Sequence, residues 1–184
     1  MLENPMAFDR EKFKTLVLYV IWRSASAREF GLTKLNKVLW FSDARSFEEN
    51  GTSISGESYT RQKFGPVACH LNEVLQELCG SKLVQHWVEP YFDFEVQRYS
   101  AHAPPDMSAF TGQELGFIDW WIRRISEAPA STSTQSTSHD YGWQIAKLGE
   151  ALPLHAVLSR RIRPPREGEE LDWALRSARL QETT

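Results

Sequence analysis

Residues 32–66 read LTKLNKVLWFSDARSFEENGTSISGESYTRQKFGP, and the reading of this run decides the fold. Leu35, Val38, Leu39 and Ser42 recur at helical spacing, with Trp40 and Phe41 widening the apolar face. Thr33 reads as the N-cap and Asn50-Gly51 as a left-handed C-cap, which places a helix over 33–49. Beyond the glycine stop, Ile54-Ser55-Gly56-Glu57-Ser58-Tyr59 reads as a short extended segment. Phe64-Gly65-Pro66 then turns into a further helix, with Pro66 in its first turn, where a missing amide donor costs nothing. No catalytic signature lies within the run.

Working outward, Asp9 caps a helix over 9–26 whose stripe is Phe13, Leu16, Val17, Val20 and Ile21. The helix after Pro66 begins near Val67, carries Leu71, Val74, Leu75 and Leu78, and stops at Gly80. Residues 83–88 and 92–99 have β-type composition, and Glu89-Pro90 between them reads as the turn of a hairpin. Thr111 and Glu114 form a capping box for a helix through Leu115, Ile118, Trp121, Ile122 and Ile125. Residues 131–138, STSTQSTS, read as a low-complexity loop or the cap of a short helix from His139 to about Leu148. After Leu152-Pro153-Leu154 come a short helical turn, a basic segment and a terminal helix over about 167–180. The expectation is a compact, α-dominated α+β domain of five to six helices with one small β-hairpin over 1–158, followed by a basic linker and C-terminal helix over 159–184.

The 184 residues suit one domain, and a domain of that length buries about 70% of its unfolded surface without a disulfide or metal staple. With 21 basic against 24 acidic residues the net charge is −3, which argues against a dedicated nucleic-acid binder. Seven Trp and ten Phe in a chain of mean hydropathy −0.44 supply large apolar anchors on a polar background, some for the core and some for contact. Cys69 and Cys79 lack a disulfide framework and read as free thiols. The first residues, MLENPMAFDREKFK, do not form a signal peptide, and the longest apolar run, 16–22, is too short to cross a bilayer, so a cytoplasmic protein without membrane partners is expected.

Two blocks carry a family resemblance. The first is Lys34-Leu35-Asn36-Lys37-Val38-Leu39-Trp40-Phe41-Ser42-Asp43 followed by Gly51, Ser55-Gly56, Tyr59 and Phe64-Gly65-Pro66-Val67; the second is Ser138-His139, Trp143, Gly149 and Leu152-Pro153. Together they resemble the Panacea domain of SocA-like antitoxins, with Trp40-Phe41 standing where a Tyr-Tyr or Tyr-Phe pair is usual. The resemblance implies a non-enzymatic, cofactor-free antitoxin of a toxin–antitoxin system that binds and neutralises a cognate toxin encoded nearby. Some relatives are similar to proteolytic adaptors that present the toxin to a cytosolic protease. The residues after about Arg160 lie outside the likeness.

The candidate partner-binding residues are Trp40, Asp43, Tyr59, Arg61, Phe64, Ser138, His139 and Trp143. Asp43 shares a helix face with Trp40 and Phe47; it is a partner-facing acid or an internal ion pair with Arg45 or Arg61. Arg61 and Lys63 suit an acidic or phosphate-bearing partner, or a solvated strand edge blunted by charge. His139 and Trp143, one turn apart behind the potential cap Ser138, form a packed helix or a recognition patch. Cys69, His70, Cys79 and His86 lack the close pairing of a zinc site, and neither cysteine has the setting of a nucleophile. Four arginines between Arg160 and Arg166 are followed at once by Glu167, Glu169, Glu170 and Asp172, and the two blocks largely cancel within a Debye length of about 8 Å. Two further functions stay open: a proteolytic adaptor, with the C-terminal tail as tether, and a DNA-binding regulator using the hairpin as a wing, which the acidity and the lack of a basic recognition helix disfavour.

Overall fold

The computed structural model describes residues 7–27, 29–91, 94–127, 143–144 and 146–161. In chain order they form α1 (Arg10–Arg23), α2 (Leu32–Asn50), β1 (Tyr59–Gln62), β2 (Gly65–Ala68), α3 (Leu71–Gly80), β3 (Val84–Tyr91), β4 (Phe94–Ala101), α4 (Gly112–Glu127), β5 (Ala151–Leu152) and a closing 3₁₀ helix (Leu154–Arg161). The α+β class stands, but five to six helices with a single hairpin do not. The described residues hold four α-helices and five strands in two small sheets, one in the order β2-β1-β5 and one a β3-β4 hairpin. The expected terminal helix and the start of the helix at His139 lie outside the described residues.

Helix α2 is the axis of the fold. Every residue from Lys34 to Ala44 is buried, so the helix is enclosed on all sides rather than presenting a single stripe. It packs against α1, α4, β2, β4 and the 3₁₀ helix. Trp40 meets Tyr59 edge-on with ring centroids 5.0 Å apart, and Phe41 stacks on Trp121 of α4 at 4.3 Å. Gly31 rather than Thr33 is the N-cap, and no side chain caps it; Gly51 closes the helix in the left-handed conformation at φ 74°.

The second sheet arises where helix was expected. Gly65-Pro66 opens β2 instead of α3, and the register Gln62↔Gly65 leaves Lys63 and Phe64 as a two-residue hairpin tip. Arg61 faces Pro66 across the pair. Its N–H donates to Glu150 O at 2.8 Å and its C=O accepts from Gly149 N at 2.8 Å, both on the other side of β1. The position opposite therefore asks no amide of Pro66, and β2 lies at the sheet edge, where proline is tolerated. Asn36 Oδ1, accepting from Ala68 N at 3.0 Å, pins β2 to the central helix. Pro90 likewise pairs with Glu95 inside the β3-β4 ladder, so the turn lies beyond Tyr91 rather than at Glu89-Pro90.

The caps of the outer helices follow local chemistry. Asp9 accepts from Lys12 N at 2.9 Å at the start of α1. Thr111 and Glu114 exchange both bonds of the capping box, and Glu114 also takes Lys12 Nζ at 2.8 Å, tying α4 to α1. Just before α1 the backbone crosses Gly56. A Cβ there would lie 2.6 Å from Ala7 O, and the residue has φ 74°.

Gly51 and Gly56 share this backbone region but differ in surroundings, since a Cβ at Gly51 meets nothing within 4 Å. Gly51→Ala is expected to cost about 1 kcal/mol from the left-handed conformation alone. Gly56→Ala, which adds a backbone clash, is expected to cost at least twice that. Urea unfolding midpoints of the two variants check the order.

Candidate functional site

Six of the eight candidate residues lie on α2, β1, the hairpin tip and the segment that closes the sheet, and the structure divides them. Trp40, Asp43 and Tyr59 are in the core, at 1%, 0% and 1% exposure. Phe64 is 63% exposed at the tip, with Lys63 Nζ 5.3 Å from its ring centroid. Arg61 stands between the two groups and reaches Trp143. Ser138 and His139 lie outside the described residues.

Asp43 is neither a partner-facing acid nor half of an ion pair. Its Oδ1 accepts from Ile54 N at 2.8 Å and its Oδ2 from Tyr59 Oη at 2.6 Å. Both expected cations are engaged elsewhere. Arg45, just past the enclosed stretch of α2, pairs with Glu49 at 2.9 Å, and Arg61 is committed to Trp143. The carboxyl thus ties the centre of α2 to the segment after Gly51 and to β1. Burial pushes its pKa up to about 7, against the pull of the Tyr59 and Ile54 hydrogen bonds and with a further push from Glu57. Burial and the neighbouring Asp43 also raise the Tyr59 phenol, which stays protonated. Trp40 and Tyr59 therefore hold the site's scaffold and are not available on its surface.

Arg61 is not on a solvated strand edge, because β1 is the central strand of its sheet. Its Nε donates to Trp143 O at 3.1 Å, and the guanidinium lies 4.2 Å from the Trp143 ring centroid. This contact, with the Gly149 and Glu150 backbone bonds to Arg61, fastens the hairpin to residues more than 80 positions away. The outward product is a small cationic and aromatic knob made of Arg61, Lys63, Phe64 and Trp143.

Two features escaped the sequence reading. Glu57 is 1% exposed, its Oε1 accepting from Ser58 N at 2.7 Å and lying 3.0 Å from His70 Nδ1, and nothing in its polar neighbourhood marks it as an interior residue. Trp120, beside the core residue Ile118 on α4, is 52% exposed and meets Trp121 edge-on at 4.5 Å. With Phe117, Gly116 and Arg45 these two tryptophans line an open recess of about 400 Å³. Its clue in the sequence was Trp120-Trp121 itself, since on a helix with one buried face adjacent residues cannot both point into the core.

Cys69, His70, Cys79 and His86 are dispersed: His70 stacks on Phe8 at 4.2 Å, and His86 Nε2 lies 2.6 Å from Gln97 Oε1. No group of three metal-ligating side chains forms among the described residues. No helix among them is long and apolar enough to cross a membrane.

The arrangement of α2, β1, the Gly65-Pro66 strand and Trp143 coincides with a match to a family model, that of the antitoxin SocA-like Panacea domain, over residues 35–144. The chain belongs to this family. No curated protein and no solved structure matches it. Within the Panacea domain as this chain carries it, the Asp43–Tyr59 pair is buried in the core and the Phe64 tip lies at the surface.

The raised pKa of Asp43 has a consequence for stability. The folded protein keeps a proton up to pH of about 7 that an ordinary Asp, near 3.8, has released. Folded chains then bind more protons than unfolded ones between these values, so this contribution is whole below pH of about 4 and is lost as pH rises through about 7. Asp43→Asn keeps an acceptor for Ile54 and is permanently neutral. Between pH 5 and 7.5 the wild type is expected to lose about 2 kcal/mol more than Asp43→Asn, read from urea midpoints at both pH values.

Proposed function

We propose that this chain is an antitoxin that neutralises a cognate toxin, encoded nearby, by direct binding, with the β1-β2 tip as its principal contact. The observation that carries the reading is Phe64, a phenylalanine 63% exposed on a two-residue turn within the region matched to the antitoxin-like family. A large apolar side chain held in water on a rigid hairpin costs free energy in the free protein and recovers it when a partner covers it. Lys63 and Arg61 flank it with positive charge, which favours an acidic groove on the toxin. The mechanism is occlusion and needs no chemistry or cofactor from the antitoxin. A standard interface of about 1,600 Å² would extend beyond the tip, with a few aromatic and arginine anchors dominating its energy.

The membership in an antitoxin family supports the toxin as the partner. The scaffold supports the tip as the contact, because Asp43, Tyr59 and Asn36 hold the strands that carry it, so little order is lost on binding.

Co-expression with the neighbouring gene product tests the reading through growth rescue and co-purification. The expected result is rescue with a stable complex, and a loss of affinity of at least about tenfold for Phe64→Ala. Trp120→Ala, at an exposed aromatic site on α4, should bind as the wild type does. Absence of both rescue and complex would overturn the antitoxin reading. A complex that tolerates Phe64→Ala but not Trp120→Ala would move the contact to the α4 recess.

A further inference from the structure

A second cavity, of about 270 Å³, lies between the first turn of α2 and strand β4 and shares no lining residue with the Phe64 tip. Its floor is the helix start, Gly31 to Lys34, and its wall is Val96 to Arg98. The two are in close register, since a Cβ on Gly31 would lie 2.7 Å from Val96 Cγ1. No side chain caps this helix, and its first turn contains no acidic residue. The amide groups and the positive end of a nineteen-residue helix therefore open onto the cavity without an internal acceptor from a capping side chain.

Independent of the helix end is Lys34. It lines the cavity, is 2% exposed, and makes no hydrogen bond or ion pair with any described residue. Burial lowers its pKa; Glu29 opposes that and Arg98 reinforces it, so its ammonium lies within electrostatic reach of both cavity walls. One turn on, Lys37 is 1% exposed, and its Nζ has no hydrogen-bond partner among the described residues. Arg98 is engaged by Glu89 at 2.6 Å through Nε. Glu29 and Glu95 also border the cavity, and Glu29 lies near enough to favour the charged form of Lys34. Two enclosed lysines whose ammonium groups make no ion pair among the described residues are costly unless something anionic enters.

We propose that this cavity binds an oxyanion, the phosphate or carboxylate group of a small molecule, held by the first-turn amides of α2 together with Lys34 and Arg98. Backbone donors at a helix start and a desolvated ammonium are the groups that recognise such an anion. The volume exceeds what the anionic group alone requires, leaving room for a small organic body beside Val96. The site is separate from the toxin contact, and neither depends on the other.

Isothermal titration of the full chain with inorganic phosphate and, separately, with succinate, at ionic strength matched by sodium chloride, tests the site. The expected result is saturable binding of at least one of the two, weakened at least tenfold in Lys34→Gln. Thr33 is exposed in the same first turn, so Thr33→Glu supplies an internal carboxylate to the helix start without disturbing the core. It is expected to abolish the titration, and it keeps the test decisive if Lys34→Gln fails to fold. Binding of phosphate alone would assign phosphate-bearing ligands, and binding of succinate alone would assign carboxylates. No saturable heat from either up to about 10 mM, or equal binding in wild type and Thr33→Glu, would overturn the proposal.

Discussion

Everything in this domain is arranged around a helix that has no outside. From Lys34 to Ala44, α2 is enclosed by two helices, two sheets and the closing 3₁₀ turn. A helix buried all round must either be apolar all round or find internal partners for its polar groups. This one does both: Trp40 packs on β1 and Phe41 on α4, while Asn36 and Asp43 reach out to the strand segments and become the fasteners of the sheet. The polar residues of α2 are thus structural where they meet backbone donors and costly where, like Lys37, they meet none.

This enclosure explains why part of the fold was legible in the sequence and part was not. Caps are local chemistry, and Asp9, Gly51 and the Thr111–Glu114 box read correctly because each involves residues within four positions of one another. The strands were misread at both prolines. By local pattern Pro66 reads as the start of a helix and Pro90 as a turn, yet both lie in edge strands, where the missing amide faces away from the ladder. That orientation is decided by pairing with Glu150 and by the β3-β4 register, neither of which a local pattern contains.

The site was legible to a similar degree. Aromatic identity in a family block pointed to Trp40, Tyr59 and Phe64 alike, but only tertiary packing separates the two that build the core from the one that faces water. Asp43 shows the same limit. Its spacing placed it beside aromatic residues, and the choice between a charge partner and a hydrogen-bonded, partly protonated acid depends on Ile54 and Tyr59 folding back over it. The cationic neighbours that spacing suggested were held by other partners.

The β1-β5 pairing also orders events during synthesis. Tyr59 and Leu152 are partners, so the open side of β1 stays without its mate while the intervening helices and the second hairpin leave the ribosome. Long loops of this kind close late, and unpaired strand edges are the exposed feature of a growing chain. Arg61 cannot settle on Trp143, nor the tip take its final pose, until residues 143–152 have emerged. A nascent chain truncated before that point carries most of the core of this domain but an unfinished sheet, so the proposed contact surface matures last.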